Sequence, residues 1–421
     1  MNSPAVLKDN TGPRGRSHRE SVIHVVAKTW PRPDRGYGIA VASSLKQYCQ
    51  VFSRVTFIAV TPDSFPEELG GSYRNVSWKR IAVDKGEPWK RFVRSLAVSC
   101  PASILQYASR EVTEGLVHHI SGRLSGRSGA VVVFEDIPPA YHLPALNRRL
   151  PHLRLVLRSH NIIGEVFEGF DKEGGMARRI AWKTELEKLR KFEFSVLNAA
   201  HTVWAISSRD AAEYRRRYGR DCDGVVGVCV DPRPYRNLPT GDMRTVIYLG
   251  SADLRKGHGL ARFIRDVWGS VVRKRTEARL ILAGRYTDRF SSPALNIEGR
   301  GYVESEREVL SEGMICINPQ ERGSGIKLKS IIAMLAGKVL ISTAKGLEGI
   351  EGVHGTHFFR ANDMGEMKSL ITYVMENEGT AIRVGRMARQ LALSLNREDE
   401  FARRVRPLLL ALKEGGASAS S

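Results

Sequence analysis

Gly323-Ser324-Gly325, then Lys327 and Lys329, open an apolar run that closes at Gly337 ahead of a short strand, Val339–Ser342. A glycine turn leading into a helix start exposes backbone N–H groups and the positive end of the helix dipole, a setting for an anion, most often a phosphate. Two cations in that first turn oppose the dipole at about 0.3–1 kcal/mol each, and a bound polyphosphate would offset that cost. An ordinary α/β crossover with solvated lysines has the same pattern. A second segment of the same kind strengthens the anion reading. Tyr248-Leu249-Gly250-Ser251 ends a strand-like run, and Arg255-Lys256-Gly257 stands before the next helical stretch. There, Lys256 is either a phosphate ligand or a surface lysine at a helix start.

Other residues with chemical potential lie where strands should end. Arg35-Gly36-Tyr37-Gly38 follows the first apolar run, and Arg158-Ser159-His160-Asn161 ends a later one, with Glu165 close behind. A GxG alone is weak evidence for a ligand loop; its place after the first strand adds weight. Two arrangements are set aside. Asp221-Cys222-Asp223 sits in a polar turn between Gly219 and Gly224, which disfavours a metal. His118-His119 has no spaced carboxylate partner, and adjacent helical residues point to different faces.

The elements that must position these residues alternate. Strand-like runs at Val22–Ala27, Val55–Val60, Lys79–Val83, Ala130–Phe134, Leu153–Arg158 and His201–Ile206 are separated by helical stretches, among them Ile39–Cys49, Met176–Asn198 and Ser208–Tyr218. Such alternation indicates a parallel sheet covered on both faces. The stretch 231–244, with three prolines and a glycine, has no apolar period and reads as a linker. The pattern then restarts with Thr245–Leu249, Leu260–Val272, Arg279–Ala283 and Met314–Asn318. Two α/β domains facing a cleft follow, with ligands expected at the carboxyl ends of strands. The divisions expected are a disordered arm over 1–20, domains over 21–238 and 243–395, a helix over 396–414 and a disordered tail over 415–421.

Bulk properties narrow the function. At 421 residues, 42% hydrophobic and 26% charged, the chain is a globular protein too long for one ordinary core. No apolar run approaches the ~20 residues of a membrane span, and the polar N-terminus lacks the apolar core of a secretory signal. Five scattered cysteines with no CxxC spacing argue against disulfides or a zinc site and fit a reducing cytoplasm. The net charge of +20 calls for an anionic partner: nucleic acid, an acidic membrane or a phosphorylated substrate. No nucleic-acid module or stacking pattern is recognisable, so nucleic acid is not expected. Trp89–Val98, WKRFVRSLAV, is basic and amphipathic. It would either lie on an anionic membrane or pack against its own sheet.

The 323–350 segment, with its closing Gly346-Leu347-Glu348-Gly349 turn, resembles the donor-binding segment of glycosyltransferase family 4, retaining enzymes of the GT-B fold. The resemblance extends over most of residues 21–395 and is strongest in the second half. It implies a nucleotide-sugar donor, an acceptor glycan or lipid-linked sugar, no cofactor and no metal. By its carry-over, Lys256 and Lys327 hold the donor diphosphate, helped by Arg255 and by backbone at Gly323, Ser324, Gly325 and Ile326. Gly250 and Ser251 belong to the same site, Ser251 standing where the family has an arginine. Gly36 and Gly38 approach the phosphate from across the cleft. Tyr302 and Val303 seat the base, unless Tyr302 is a core aromatic. His160 hydrogen-bonds the transferred sugar, unless it is structural. Glu348 contacts the sugar or only fixes its turn. One departure stands out. The family's Glu, seven residues, Glu motif falls here on Ser324 and Ile332, and the lost second carboxylate normally accepts from the ribose. A charged hydrogen bond contributes roughly 1.5–3 kcal/mol, so nucleotide affinity should fall unless another group serves.

The expectation is therefore a cytoplasmic hexosyltransferase of bacterial polysaccharide or glycoconjugate synthesis, with peripheral contact at the inner face of the membrane. A degenerate GT-B protein that binds without turnover is the alternative, motivated by Ile332 and Ser251.

Overall fold

A computed structural model describes residues 21–32, 36–84, 86–122, 130–170, 175–253 and 257–414. The arm 1–20, the tail 415–421, Arg35, Arg255 and Lys256 lie outside the described residues.

Among the described residues, thirteen strands form two parallel sheets. The first contains β1 (Val22–Ala27), β2 (Arg54–Val60), β3 (Val76–Ile81), β4 (Val131–Glu135), β5 (Arg154–Ser159), β6 (Thr202–Ala205) and β7 (Gly224–Val225), in the order β3-β2-β1-β4-β5-β6-β7. The second contains β8 (Asp242–Leu249), β9 (Arg279–Ala283), β10 (Ile297–Gly301), β11 (Gly313–Asn318), β12 (Val339–Thr343) and β13 (Phe359–Ala361), in the order β10-β9-β8-β11-β12-β13. The central strands are apolar along most of their length because helices cover both faces. In β1, Ile23, Val25 and Ala27 point into one core with Leu45 and Tyr48, while Val26 points into the other with Val132 and Leu157.

In each sheet the strand order reverses beside the first strand, between β1 and β4 and between β8 and β11. The crevice at such a reversal is where open α/β sheets take ligands. Both crevices open toward the same space between the sheets.

Several elements differ from the sequence reading. The strand expected at Lys79–Val83 runs over Val76–Ile81, paired with β2 from Val55↔Val76 to Val60↔Ile81. β8 begins at Asp242, inside the expected linker, because Asp242 already pairs with Gly313. Gly36 and Gly38 are not a loop before a helix. They form the first turn of helix Gly36–Val51. The glycine turn 323–325 does not open the following helix directly either, since that helix spans Leu328–Leu335 with Lys327 as its N-cap.

The last helix, Glu398–Glu414, packs on the first sheet. Val405, Leu409 and Leu412 enter the core that holds Leu45, Tyr48 and Trp204. Lys46 pairs with Glu398 at 2.5 Å, and Arg406 donates to Gln50 at 2.7 Å.

Candidate active site

A cleft of about 510 Å³ lies between the two sheets, walled by residues from both. The first wall starts from a buried charge cluster. Glu135 ends β4 and Arg158 lies opposite it on β5. Arg158 donates to Glu135 Oε2 at 2.7 Å, and Ser44 and Tyr48 donate to Oε1 at 2.9 and 2.8 Å. All of these groups are buried. Burial alone would raise the Glu135 carboxyl, but Arg158, His160 and Tyr48 outweigh it and hold the pKa down to about 2.

His160 follows β5 and lines the cleft. Its Nε2 lies 2.7 Å from Glu135 Oε2. Burial, then the Arg158 charge, lowers the imidazole pKa, so the ring is neutral near pH 7. Arg158 Nη1 lies farther from Nε2, at 3.1 Å; the nearer, ionised carboxylate can only accept, so Nε2 carries the proton and Nδ1 is left as an acceptor. That Nδ1 is buried and has no hydrogen-bond partner among the described residues. Buried acceptors are rarely left so. A hydroxyl entering the cleft would satisfy it.

Tyr37 backs the imidazole, ring centroids 5.0 Å apart, and donates to the Glu135 carbonyl at 2.7 Å. Lys28, just after β1, sits 4.2 Å over the Tyr37 ring and pairs with Asp136. Gly38 fits because a Cβ there would fall 1.7 Å from the Arg32 carbonyl oxygen. Gly36 faces the other domain, its missing Cβ 3.3 Å from Leu328.

The second wall is built from strand ends. Gly250-Ser251 after β8 and Gly284-Arg285 after β9 lie side by side, Ala252 N–H donating to the Arg285 carbonyl at 2.9 Å. Tyr302 and Val303 follow β10, and Gln320, Arg322 and Gly323 follow β11. Tyr302 is 50% exposed at the lip of the cleft, which excludes the core reading. Lys329 reaches back over β8, its ammonium 4.6 Å from the Tyr248 ring centroid.

The two walls also touch. Ser324 Oγ donates to the Ile162 carbonyl at 3.2 Å and accepts from the Ile162 N–H at 3.0 Å. Gly325 has φ +75°, and a Cβ there would meet the His160 carbonyl oxygen and Asn161 Oδ1, each at 2.7 Å. Lys345 donates to Glu165 at 2.7 Å, and Arg209 bridges Glu165 at 2.5 Å and Glu348 at 3.2 Å.

A model for the glycosyl transferases group 1 family matches residues 243–377, which carry the whole of this second wall. The second domain is thus similar to the group 1 glycosyl transferases. Solved structures share its fold. Anabaena HepE in complex with UDP and glucose has a TM-score of 0.66 at 12% identity, covering 92% of this chain and 99% of HepE. Sucrose-phosphate synthase from Thermosynechococcus elongatus has 0.66 at 15%, covering 93% and 99%. S. aureus TarM, in complex with UDP, fondaparinux and α-GlcNAc-glycerol, has 0.64 at 10%, covering 92% and 99%. The architecture is therefore GT-B: two parallel α/β domains about a cleft. No curated protein sequence matches the chain.

Of the residues expected at the site, Gly36, His160, Gly250, Ser251, Tyr302, Val303, Gly323, Ser324, Ile326 and Lys327 line the cleft. Gly38, Gly325 and Glu348 are not among its lining residues. Gly38 and Gly325 permit close packing, and Glu348 belongs to the ion network between the domains. Lys327 also differs from expectation. Its side chain is 3% exposed, and its ammonium donates to the Ser324 and Gly325 carbonyls at 3.1 and 2.9 Å and pairs with Glu348 at 3.2 Å. It holds the glycine turn in shape from behind. Burial lowers its pKa, opposed by Glu348.

Sequence reasoning left out Lys28, Tyr37, Arg285 and Arg322, which all line the cleft. Arg285 had a signal: it follows a strand and a glycine, as Ser251 does one strand away. Ile332 lines the cleft as well, among the apolar side chains of the helix that carries it. Glu306 is the one carboxylate among the lining residues.

Proposed function

We propose that this protein transfers a sugar from a nucleotide-activated donor, held by the second domain, to an acceptor hydroxyl presented from the first, with retention at the anomeric carbon. The observation that carries the reading is the pairing across one cleft of a cationic, glycine-turned wall with the unsatisfied, preoriented Nδ1 of His160. HepE and TarM were solved with UDP in complex, which supports a nucleotide donor on the same architecture.

In this reading the donor diphosphate meets Lys329, Arg285 and Arg322 and the backbone of Gly250 and Gly323. Lys256 is a proposed further ligand. Cations and N–H groups already in place stabilise the charge that grows on the leaving diphosphate without reorganisation and without a metal. The acceptor oxygen bonds the anomeric carbon from the face the diphosphate leaves, and a phosphate oxygen takes the acceptor's proton. No protein nucleophile is needed. His160 Nδ1 accepts from a hydroxyl of the transferred sugar. Lys327 acts through the turn it supports. Tyr302 seats the base, and Glu306 takes the ribose in place of the carboxylate absent at Ile332. A hexose donor and an acceptor in bacterial polysaccharide or glycoconjugate synthesis complete the proposal.

Transfer assayed with labelled nucleotide sugars tests it. His160→Ala should lower the rate about a hundredfold and Lys329→Ala about ten- to a hundredfold, each assayed at a temperature where the variant stays folded. Normal rates in both variants would place the site elsewhere. Ile332 in the cleft favours one second reading, a protein that binds through this cleft without turnover. Stabilisation by a nucleotide sugar in a thermal-shift panel, with no transfer or hydrolysis of that same compound, would establish it instead.

A further inference from the structure

Helix Pro88–Ala97 does not use its apolar face to pack on its own sheet. Trp89, Val93 and Leu96 recur at helical spacing and are 63%, 57% and 55% exposed. Beside them, the first turns of helix Met176–Ala199 present Met176 and Ile180, 70% and 59% exposed. The two helices are joined underneath by Phe92 against Trp182, ring centroids 5.8 Å apart.

Charge surrounds this apolar surface. Across residues 86–98 and 175–184 stand Lys90, Arg91, Arg94, Arg178, Arg179 and Lys183, against the single carboxylate Glu87. A helix with Trp and Leu on one face and Lys and Arg on the other, too polar as a whole to enter the hydrocarbon, lies in the plane of a bilayer interface. Anionic lipid supplies the complementary charge. No helix among the described residues is long and apolar enough to cross a membrane.

The surface connects to the cleft. Trp182 packs on Phe167 and Phe170, at 5.9 and 5.1 Å, and the Arg322 guanidinium lies 5.8 Å from the Phe170 ring centroid. Arg322 lines the cleft. One aromatic cluster therefore runs from the exposed face to the rim of the site.

We propose that the faces of Pro88–Ala97 and Met176–Ile180 form a docking surface for an anionic lipid bilayer. It seats the first domain on the membrane with the cleft mouth beside the interface. Docking stands independently of sugar transfer. That it brings a membrane-borne acceptor to the cleft rests on the transferase reading.

Co-sedimentation of the full chain with vesicles decides it. The protein should pellet with phosphatidylcholine vesicles containing about a third phosphatidylglycerol and stay in solution with phosphatidylcholine alone. Joint Trp89→Ser, Val93→Ser and Leu96→Ser should weaken partitioning at least about tenfold. Joint Lys90→Glu, Arg94→Glu and Arg178→Glu should remove the preference for anionic lipid. All six side chains are exposed, so both variants should melt as wild type and transfer sugar to a soluble acceptor at the wild-type rate. A wild-type protein that stays in the supernatant with anionic vesicles overturns the proposal. So does a serine variant that pellets like wild type. A dimer in sedimentation velocity that the serine variant abolishes, without vesicle binding, assigns the face to a second copy of the chain and overturns it too. If vesicle binding follows expectation while no sugar is transferred, docking holds and the transferase reading alone fails.

Discussion

The loop from His160 to Gly164 is gripped at its two ends by two buried carboxylates in opposite charge states. At the first end Glu135 holds His160, with Arg158 alongside, and its pKa is driven down to about 2. At the other end Glu193, from helix Met176–Ala199, accepts from the N–H groups of Ile163 and Gly164 at 2.7 and 3.2 Å and from the Tyr218 hydroxyl at 2.7 Å. Burial pushes Glu193 up to about 7, and hydrogen bonds from neutral donors only partly counter it. Both groups are equally hidden from water. The chief difference is one guanidinium, with His160 beside it. A buried carboxylate stays ionised where a full charge faces it and takes a proton near neutrality where only dipoles do. The end beside the cleft received the charge, and a fixed charge there fixes the tautomer of His160.

The largest effect should come from breaking the charged end. Glu135→Gln leaves the buried Arg158 charge without a counter-charge, its other hydrogen bonds going mainly to the Ala40, Val226 and Gly227 carbonyls, and losing the partner of a buried ion pair costs about 3–5 kcal/mol. Urea unfolding near pH 7 reads it. A loss well under about 1 kcal/mol would mean that the guanidinium finds other partners, and the contrast between the two ends would dissolve.

The pH dependence sharpens the same contrast, because the two carboxylates act with opposite sign. Glu135 binds its proton less tightly in the folded state. Its contribution is complete above the ordinary glutamate value of 4.5 and is lost as pH falls toward 2. Glu193 binds its proton more tightly when folded. Its contribution is complete below 4.5 and is lost as pH rises through about 7. With about 1.4 kcal/mol per pH unit, the Glu193 loss amounts to about 3 kcal/mol across that window. Unfolding free energies at intervals from about pH 4.5 to 8 should fall accordingly in the wild type, and Glu193→Gln should remove the slope. An unchanged slope in that variant would assign it to another group.

How much of this was legible in the sequence varies with the physics involved. Strands such as Val131–Glu135 could be read because a parallel strand covered on both faces must be largely apolar. The glycine turn at 323–325 could be read because its backbone conformation favours glycine. The relation between Glu135 and Arg158 was hidden, since it depends on the register of two strands separated by a helical layer. Lys327 and Lys329 show the limit at short range. Two residues apart in one turn, they have the same chemistry in the sequence, yet one ammonium turns inward to carbonyls and the other reaches over Tyr248 beside the cleft. The inward turn of Lys327 is decided by Glu348, brought near by the fold. The amphipathic pattern of Trp89–Val98 was plain, but only the packing of Phe92 on Trp182 settles that Trp89, Val93 and Leu96 face outward.

The smallest effect tests the neutral end alone. Tyr218 is half-buried and donates to Glu193 Oε2, and this bond favours the ionised carboxylate. Tyr218→Phe removes one donor and little else. Below about pH 5, where Glu193 is protonated, the loss should be that of an ordinary hydrogen bond, about 0.5–1 kcal/mol. At about pH 8 the carboxylate is charged and has lost its closest hydroxyl donor, so the loss should grow to about 1.5–3 kcal/mol. The variant should also hold its proton to higher pH, carrying the falling limb of the stability profile above that of the wild type. Unfolding measured at the two pH values separates the cases. An equal loss at both would mean that Tyr218 does not sense the charge on Glu193, and that the two ends of the loop differ for some reason other than the partner each carboxylate was given.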